Sequence, residues 1–196
     1  MERFSNLTKV PNEPAAKLMA LANMKLQTQL EAPASAPIDA VLSELANRDA
    51  GLDLLRVMAA ILPARERIWW SCLAARDIVG TEPENETKCL KAAETWVFRP
   101  TDEHREDAIM SLEQADPDDL TVHCAMGVMY CDGKLGLGDL AQMDAPPGAG
   151  QIVAFAMNVE ALAHNKDIWD AHLDVLVDRA LDIARGGSGK GTKGVG

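Results

Sequence analysis

Apolar residues recur along this chain at helical spacing, separated by the residues that start and stop helices. From Ile38 onward the pattern predicts helices near 38–47, 50–61, 63–79, 84–98, 102–114, 117–131, 147–164 and 167–185. An earlier helical pattern runs from about Glu13 to Leu30, with Leu18, Leu21, Ala22, Met24 and Leu26 on its apolar side, and Ala32–Pro37 follows as a loop. The clearest starts are Pro63 at a first helical position, Thr101 ahead of Asp102 and Glu103, and the run Asp116-Pro117-Asp118-Asp119. In that run Asp116 caps, Pro117 loses no needed N–H, and the following acids face the positive helix end. The two acidic starts are therefore read as caps, not as metal ligands. The longest irregular stretch expected inside the domain runs from Cys131 through the glycine-punctuated Gly133–Gly138 to Gly148.

The segment Ile61–Asp77 reads as one helix and carries two of the four tryptophans. At about 100° per residue, Ile68, Cys72 and Val79 fall together, Trp69 and Leu73 lie beside them, and Trp70, Ala74 and Ile78 go round the back. Apolar side chains on nearly every side mark a helix surrounded by others. Arg65 and Arg76 project along one line, and Glu66 and Asp77 share the neighbouring line with Trp69 between them. The expected role of these charges is structural: the arginines snorkel past the indoles and pair with carboxylates such as Glu94. A clamp on an anionic ligand by Arg65 and Arg76 would need a cleft and further polar groups. Trp69, Trp70 and Trp96 are expected to organise the core with Arg65 and Arg76, and Phe98 and Met110 are placed nearby.

The fold class that follows is all-α: a single domain of about eight packed helices in antiparallel pairs, with an N-terminal helical arm. The expected divisions are an arm and linker over 1–35, the helical domain over 36–185 and a flexible Gly/Lys tail over 186–196. Composition agrees, since the 196 residues are 47% hydrophobic with only four tryptophans, three phenylalanines and one tyrosine. A net charge of −11 disfavours nucleic acid or an anionic membrane surface as partner and suits a neutral or basic protein. Met1–Asn6 shows no positive run followed by an apolar stretch, so a cytoplasmic location is expected. Cys72, Cys89, Cys124 and Cys131 fall in apolar helical patterns and read as free core thiols.

Motifs that suggest chemistry fail on context. Gly186-Gly187-Ser188-Gly189-Lys190-Gly191-Thr192 echoes a phosphate-cradling loop, but it follows a helix instead of a strand and opens no helix. Cys124 and Cys131 lie seven apart with His123 beside the first, which matches no zinc spacing. His172 shares a helix side with Trp169, Leu173 and Leu176 and reads as a packing histidine; His164 sits near the break at Asn165, and His104 is expected exposed. No catalytic, cofactor-binding or metal-ligating residue is assigned, and no cofactor is expected. A hydrolase or transferase would have to show a deep pocket with converging histidine and carboxylate groups.

Leu62-Pro63 with Glu66 and Trp69-Trp70 through Ala75-Arg76, followed by Trp96–Arg105, resembles an uncharacterised all-helical bacterial family. Its members carry an LPxREAVWWAxxxAR-type segment and then a WxxxPxxxxR segment. The likeness covers roughly 38–165; Arg65 and Trp69-Trp70 match, whereas Arg67-Ile68 stand where the family has small or aliphatic residues. The resemblance implies an accessory role, since such proteins are often encoded near type VI secretion or contractile injection components. The expected function is a non-enzymatic adaptor or chaperone-like accessory protein that holds a protein cargo or apparatus component. The alternative is an immunity protein that neutralises a basic toxin. The partner-binding residues expected are Leu18, Leu21 and Met24 of the arm, and Leu135 and Leu137 of the Gly133–Gly150 loop.

Overall fold

The computed structural model describes residues 2–190. Among these residues the fold is all-α, with helices α1 (Ala15–Leu21), α2 (Ile38–Asn47), α3 (Gly51–Ile61), α4 (Ala64–Val79) and α5 (Lys88–Phe98) in the first half. The second half holds α6 (Asp102–Glu113), α7 (Val122–Met129), α8 (Ala149–His164) and α9 (Trp169–Ala184). Among the described residues the β-pairing is one isolated bridge, Lys134 to Asp144.

Helix α4 packs against α5, α7, α8 and α9, as expected of a helix that is apolar all round. Trp70 is fully buried at its centre, and its indole N–H donates to the Leu176 carbonyl of α9 at 2.9 Å. Leu55, Met58, Leu90, Met157 and Leu176 belong to the same core, each sealed from solvent. Small residues, among them Ala74 and Ala75 of α4 and Ala154 and Ala161 of α8, line the same core and suit a close helix approach. Thr101 caps α6 as expected, accepting from the His104 amide at 3.3 Å. Thr87 does the same for α5 with the Leu90 amide at 3.1 Å.

Four stretches depart from the periodicity, one being the start of α5, expected near residue 84 and found at Lys88 after a short helical turn over Pro83–Asn85. The arm helix ends at Leu21 instead of Leu30, because Asn23 takes a left-handed turn (φ 48°), and residues 24–30 form no helix. Amides after the helix are satisfied from elsewhere: the Asp53 carboxylate of α3 accepts from Gln27 and Thr28, and Glu44 of α2 accepts from Glu31 and Ala32. The arm is not a separate appendage, since Phe4, Ala15, Met19 and Ala22 belong to the common core. Helix α7 starts at Val122 instead of Pro117, because Asp119 takes both the Thr121 amide and its hydroxyl in a local turn that competes with the helix. Residues 186–190, expected as part of a flexible tail, fold back on the domain: the Gly187 and Gly189 amides bond to Asp182, each at 2.8 Å. Residues 191–196 of that tail lie outside the described residues.

Two predictions follow from this core. Trp70→Phe keeps most of the apolar area but leaves a void and loses the N–H bond to Leu176, so urea unfolding should report a loss of about 2 kcal/mol. Asp53 supplies the second: burial pushes its carboxyl up, but the bonds from Thr28, Gln27 and Arg56 outweigh burial and hold it below the ordinary carboxylate range. A folded-state pKa below the unfolded one gives stability that is present above about pH 4 and is lost as pH falls further. Asp53→Asn should therefore lower stability at neutral pH by about 2 kcal/mol and flatten the acid limb in urea titrations from pH 7 to pH 3.

Candidate interaction surface

The two segments singled out for partner binding meet in the fold. Gly148, at the start of α8, adopts φ 82° and lies so close to the arm that a Cβ there would fall 1.8 Å from the Ala22 carbonyl oxygen. Only glycine combines that left-handed conformation with that approach. The arm contributes Leu21, 66% exposed, immediately before Ala22. On the other side Ile152 is one helical turn beyond Gly148, its amide bonded to the Gly148 carbonyl at 2.8 Å, and its side chain is about half exposed.

The preceding loop is more ordered than its glycines suggest. The Leu135 amide donates to the Met143 carbonyl at 3.0 Å, Ala145 donates to Gly133 at 2.8 Å, and a short helical turn covers Gly138–Gln142. Lys134 pairs with Asp144 at 2.7 Å across the loop base, an exposed pair that adds little stability. Leu135 and Leu137 are half-buried, whereas Leu140 and Met143 are the loop's exposed apolar side chains. Leu18 and Met24 of the arm are likewise half-buried against the core, which leaves Leu21 as its exposed member. Sequence reasoning found the segments but missed Leu140, Met143 and Ile152. The available signal was the three-residue spacing of Leu140 and Met143 around a short helical turn.

The central helix keeps its charges occupied at its C-terminal end. Arg76 forks onto Glu94 at 2.9 and 2.6 Å and reaches Glu86 at 2.7 Å. The bonds to Glu94 and then Glu86 raise the Arg76 pKa, and Arg76 in turn holds the Glu86 carboxyl below its ordinary range. Asp77 is gripped by both terminal nitrogens of Arg179, and His172 Nε2 lies 3.3 Å from the same carboxylate. Burial lowers the His172 pKa despite Asp77 alongside, which keeps the ring neutral at neutral pH. Trp96 is buried where α5 meets the core. At the N-terminal end Arg65 is exposed and its Nε donates to the Val97 carbonyl at 2.6 Å, while half-buried Trp69 meets Phe98 edge-on with centroids 5.3 Å apart.

The four cysteines are free, and Cys72, Cys89 and Cys124 are buried. Burial pushes the Cys72, Cys89 and Cys131 thiols up, which opposes formation of a reactive thiolate. Among the described residues no group of three or more His, Cys, Asp or Glu side chains is placed to hold a metal ion. No helix of the described residues is long and apolar enough to cross a membrane.

An all-α domain built on an arginine-bracketed tryptophan helix is the class of protein that fold and surface define. More particularly, the chain belongs to the family of unknown function DUF6931, whose model matches residues 41–184. Searches of curated proteins and of solved structures find no match.

The arm–loop junction is open to direct test. Gly148→Ala should cost about 2 kcal/mol or more, through the left-handed backbone and the clash with Ala22. Amide exchange should then quicken over 22–30 and 133–147 before it quickens in α4.

Proposed function

We propose that this protein is a non-enzymatic adaptor or chaperone-like accessory protein that holds a protein partner on the arm–loop face. The observation that supports this reading is the exposure of Leu21, Leu140, Met143 and Ile152 on two segments locked together at Ala22 and Gly148. Exposed apolar side chains on otherwise ordered surface segments are a recurrent mark of protein contact sites. The resemblance at the Leu62–Arg76 and Trp96–Arg105 segments suggests a setting in bacterial secretion or contractile injection, with a cargo or apparatus component as the partner.

Leu21→Glu, Met143→Glu and Ile152→Glu together place charge on this face without touching the core. The triple variant should melt within a few degrees of the parent, because surface substitutions commonly change stability by about 0.5 kcal/mol or less each. Affinity purification from the native cell should then lose a protein that co-elutes with the parent chain. Retention of every co-eluting protein by a folded triple variant would remove the proposal.

One observation favours the immunity reading as the alternative. A groove of about 580 Å³ between the 83–88 turn and the 114–121 segment is lined by Glu84, Glu86, Asp116, Asp118 and Asp119, a surface suited to a basic protein. A co-purifying basic toxin that survives the triple substitution and is lost on Asp116→Asn with Asp118→Asn selects that reading.

A further inference from the structure

A second groove differs from the rest of the molecule in charge. Beyond α9 the chain doubles back at Gly186 and Gly189, both at positive φ (93° and 71°), and a Cβ on Gly189 would fall 2.8 Å from Leu73 and Ile183 side-chain atoms. This fold-back lays Ser188–Lys190 across α4. The Trp69 indole N–H donates to the Ser188 carbonyl at 2.7 Å, and the Lys190 ammonium lies 5.3 Å from the Trp69 ring centroid. Lys9 enters from the amino-terminal segment, which is pinned by its own amide bond to the Ala184 carbonyl at 2.8 Å. The open groove holds about 420 Å³, with Lys9, Arg65, Glu66, Trp69, Phe98 and Lys190 among its lining residues.

Three cations and one carboxylate therefore converge in a chain whose net charge is −11. Neither Lys9, Arg65 nor Lys190 makes an ion pair with a described residue, whereas Arg3, Arg48, Arg76, Arg105 and Arg179 all do. Arg65 spends its Nε on the Val97 carbonyl, which fixes the guanidinium and leaves its terminal nitrogens without a hydrogen bond to a described residue. Phe98, 66% exposed, stands beside Trp69 as a second apolar wall. The glycine-rich loop is not a phosphate cradle, because the Gly187 and Gly189 amides are taken by Asp182. Recognition here falls to cationic side chains and aromatic faces.

We infer that this groove binds a small organic anion: a carboxylate or phosphate received by Arg65, Lys9 and Lys190, on a planar apolar body resting against Trp69 and Phe98. The volume suits a small-molecule ligand. The like charges held together by the fold-back are relieved by such a ligand, and a fixed guanidinium fork favours its oxygens. This site stands on the opposite chemistry from the arm–loop face and is independent of the adaptor reading.

The test is calorimetric titration of the full chain with 2-naphthoate, 2-naphthyl phosphate and the neutral 2-naphthylmethanol. At least one anion should bind tenfold or more tightly than the neutral probe; the stronger of the two anions identifies carboxylate or phosphate as the preferred head group. Lys190→Ala and Lys9→Ala should each weaken anion binding severalfold with unchanged melting. Arg65→Ala should weaken it about tenfold or more, as expected for loss of a charge-assisted bond; Arg65→Lys should restore part of it. Equal binding of the neutral probe, undiminished affinity in folded Lys190→Ala and Lys9→Ala, or no binding of either anion at 1 mM would overturn the inference.

Discussion

Where α4 is packed between α5 and α9 a charge without a partner is costly, and the helix carries Arg76 and Asp77 there, with Arg65, Glu66 and Arg67 in its first turn. Stripping one partner from a buried pair leaves an uncompensated charge at a cost of several kcal/mol. At the C-terminal end the neighbours supply the counter-charges: Glu94 of α5 and Glu86 before it for Arg76, Arg179 of α9 for Asp77. These pairs fix the register of α5 and α9 on α4, while apolar burial around Trp70 supplies the adhesion. Arg67, buried in the first turn, has no such partner. It is 7% exposed, donates to the Leu62 carbonyl at 2.8 Å and has no carboxylate within ion-pair distance among the described residues. Burial draws its pKa down to about 10, which still leaves it charged at neutral pH. Gly150 in the first turn of α8 gives its guanidinium space, since a Cβ there would lie 3.3 Å from a terminal nitrogen.

The same economy of charge explains what was legible in the sequence. Helices α2, α3, α4 and α6 lie within a residue or so of their expected bounds: apolar periodicity marks α2 and α3, Pro63 the start of α4, and the Thr101 cap with its acidic first turn α6. Glu94 is an expected example of a carboxylate partner for the arginines, and Arg76 takes it together with Glu86, whereas Arg65 takes the Val97 carbonyl instead. Residues 22–32, 117–121 and 186–190 were not legible, and they share one cause. In each, a carboxylate accepts backbone amides of an irregular stretch: Asp53 and Glu44 for the first, Asp119 for the second, Asp182 for the third. Asp53 and Glu44 act across long sequence separations, and a local pattern of apolar and polar positions does not encode such acceptors. Part of the acidic excess of this chain thus has an internal use, in organising loops, besides whatever it offers to partners.

This also sharpens how the surface residues divide. Leu18, Met24, Leu135 and Leu137 were chosen because they are apolar and lie in the arm or the loop, but all four are half-buried. Leu18 and Met24 anchor the arm to the core, so substituting them would disturb the scaffold as well as any contact. The side chains with area left over are their neighbours Leu21, Leu140 and Met143. An interaction surface on an ordered loop needs both kinds: one set spends its apolar area to hold the backbone in place, and the adjacent set is presented because the first is fixed. By this logic Arg65 and Trp69 belong to both sets at once. Each makes one structural bond, to the Val97 and Ser188 carbonyls, and keeps a face toward the groove. That is how a helix serving as the strut of the domain also presents chemistry at the one end where its neighbours stop covering it.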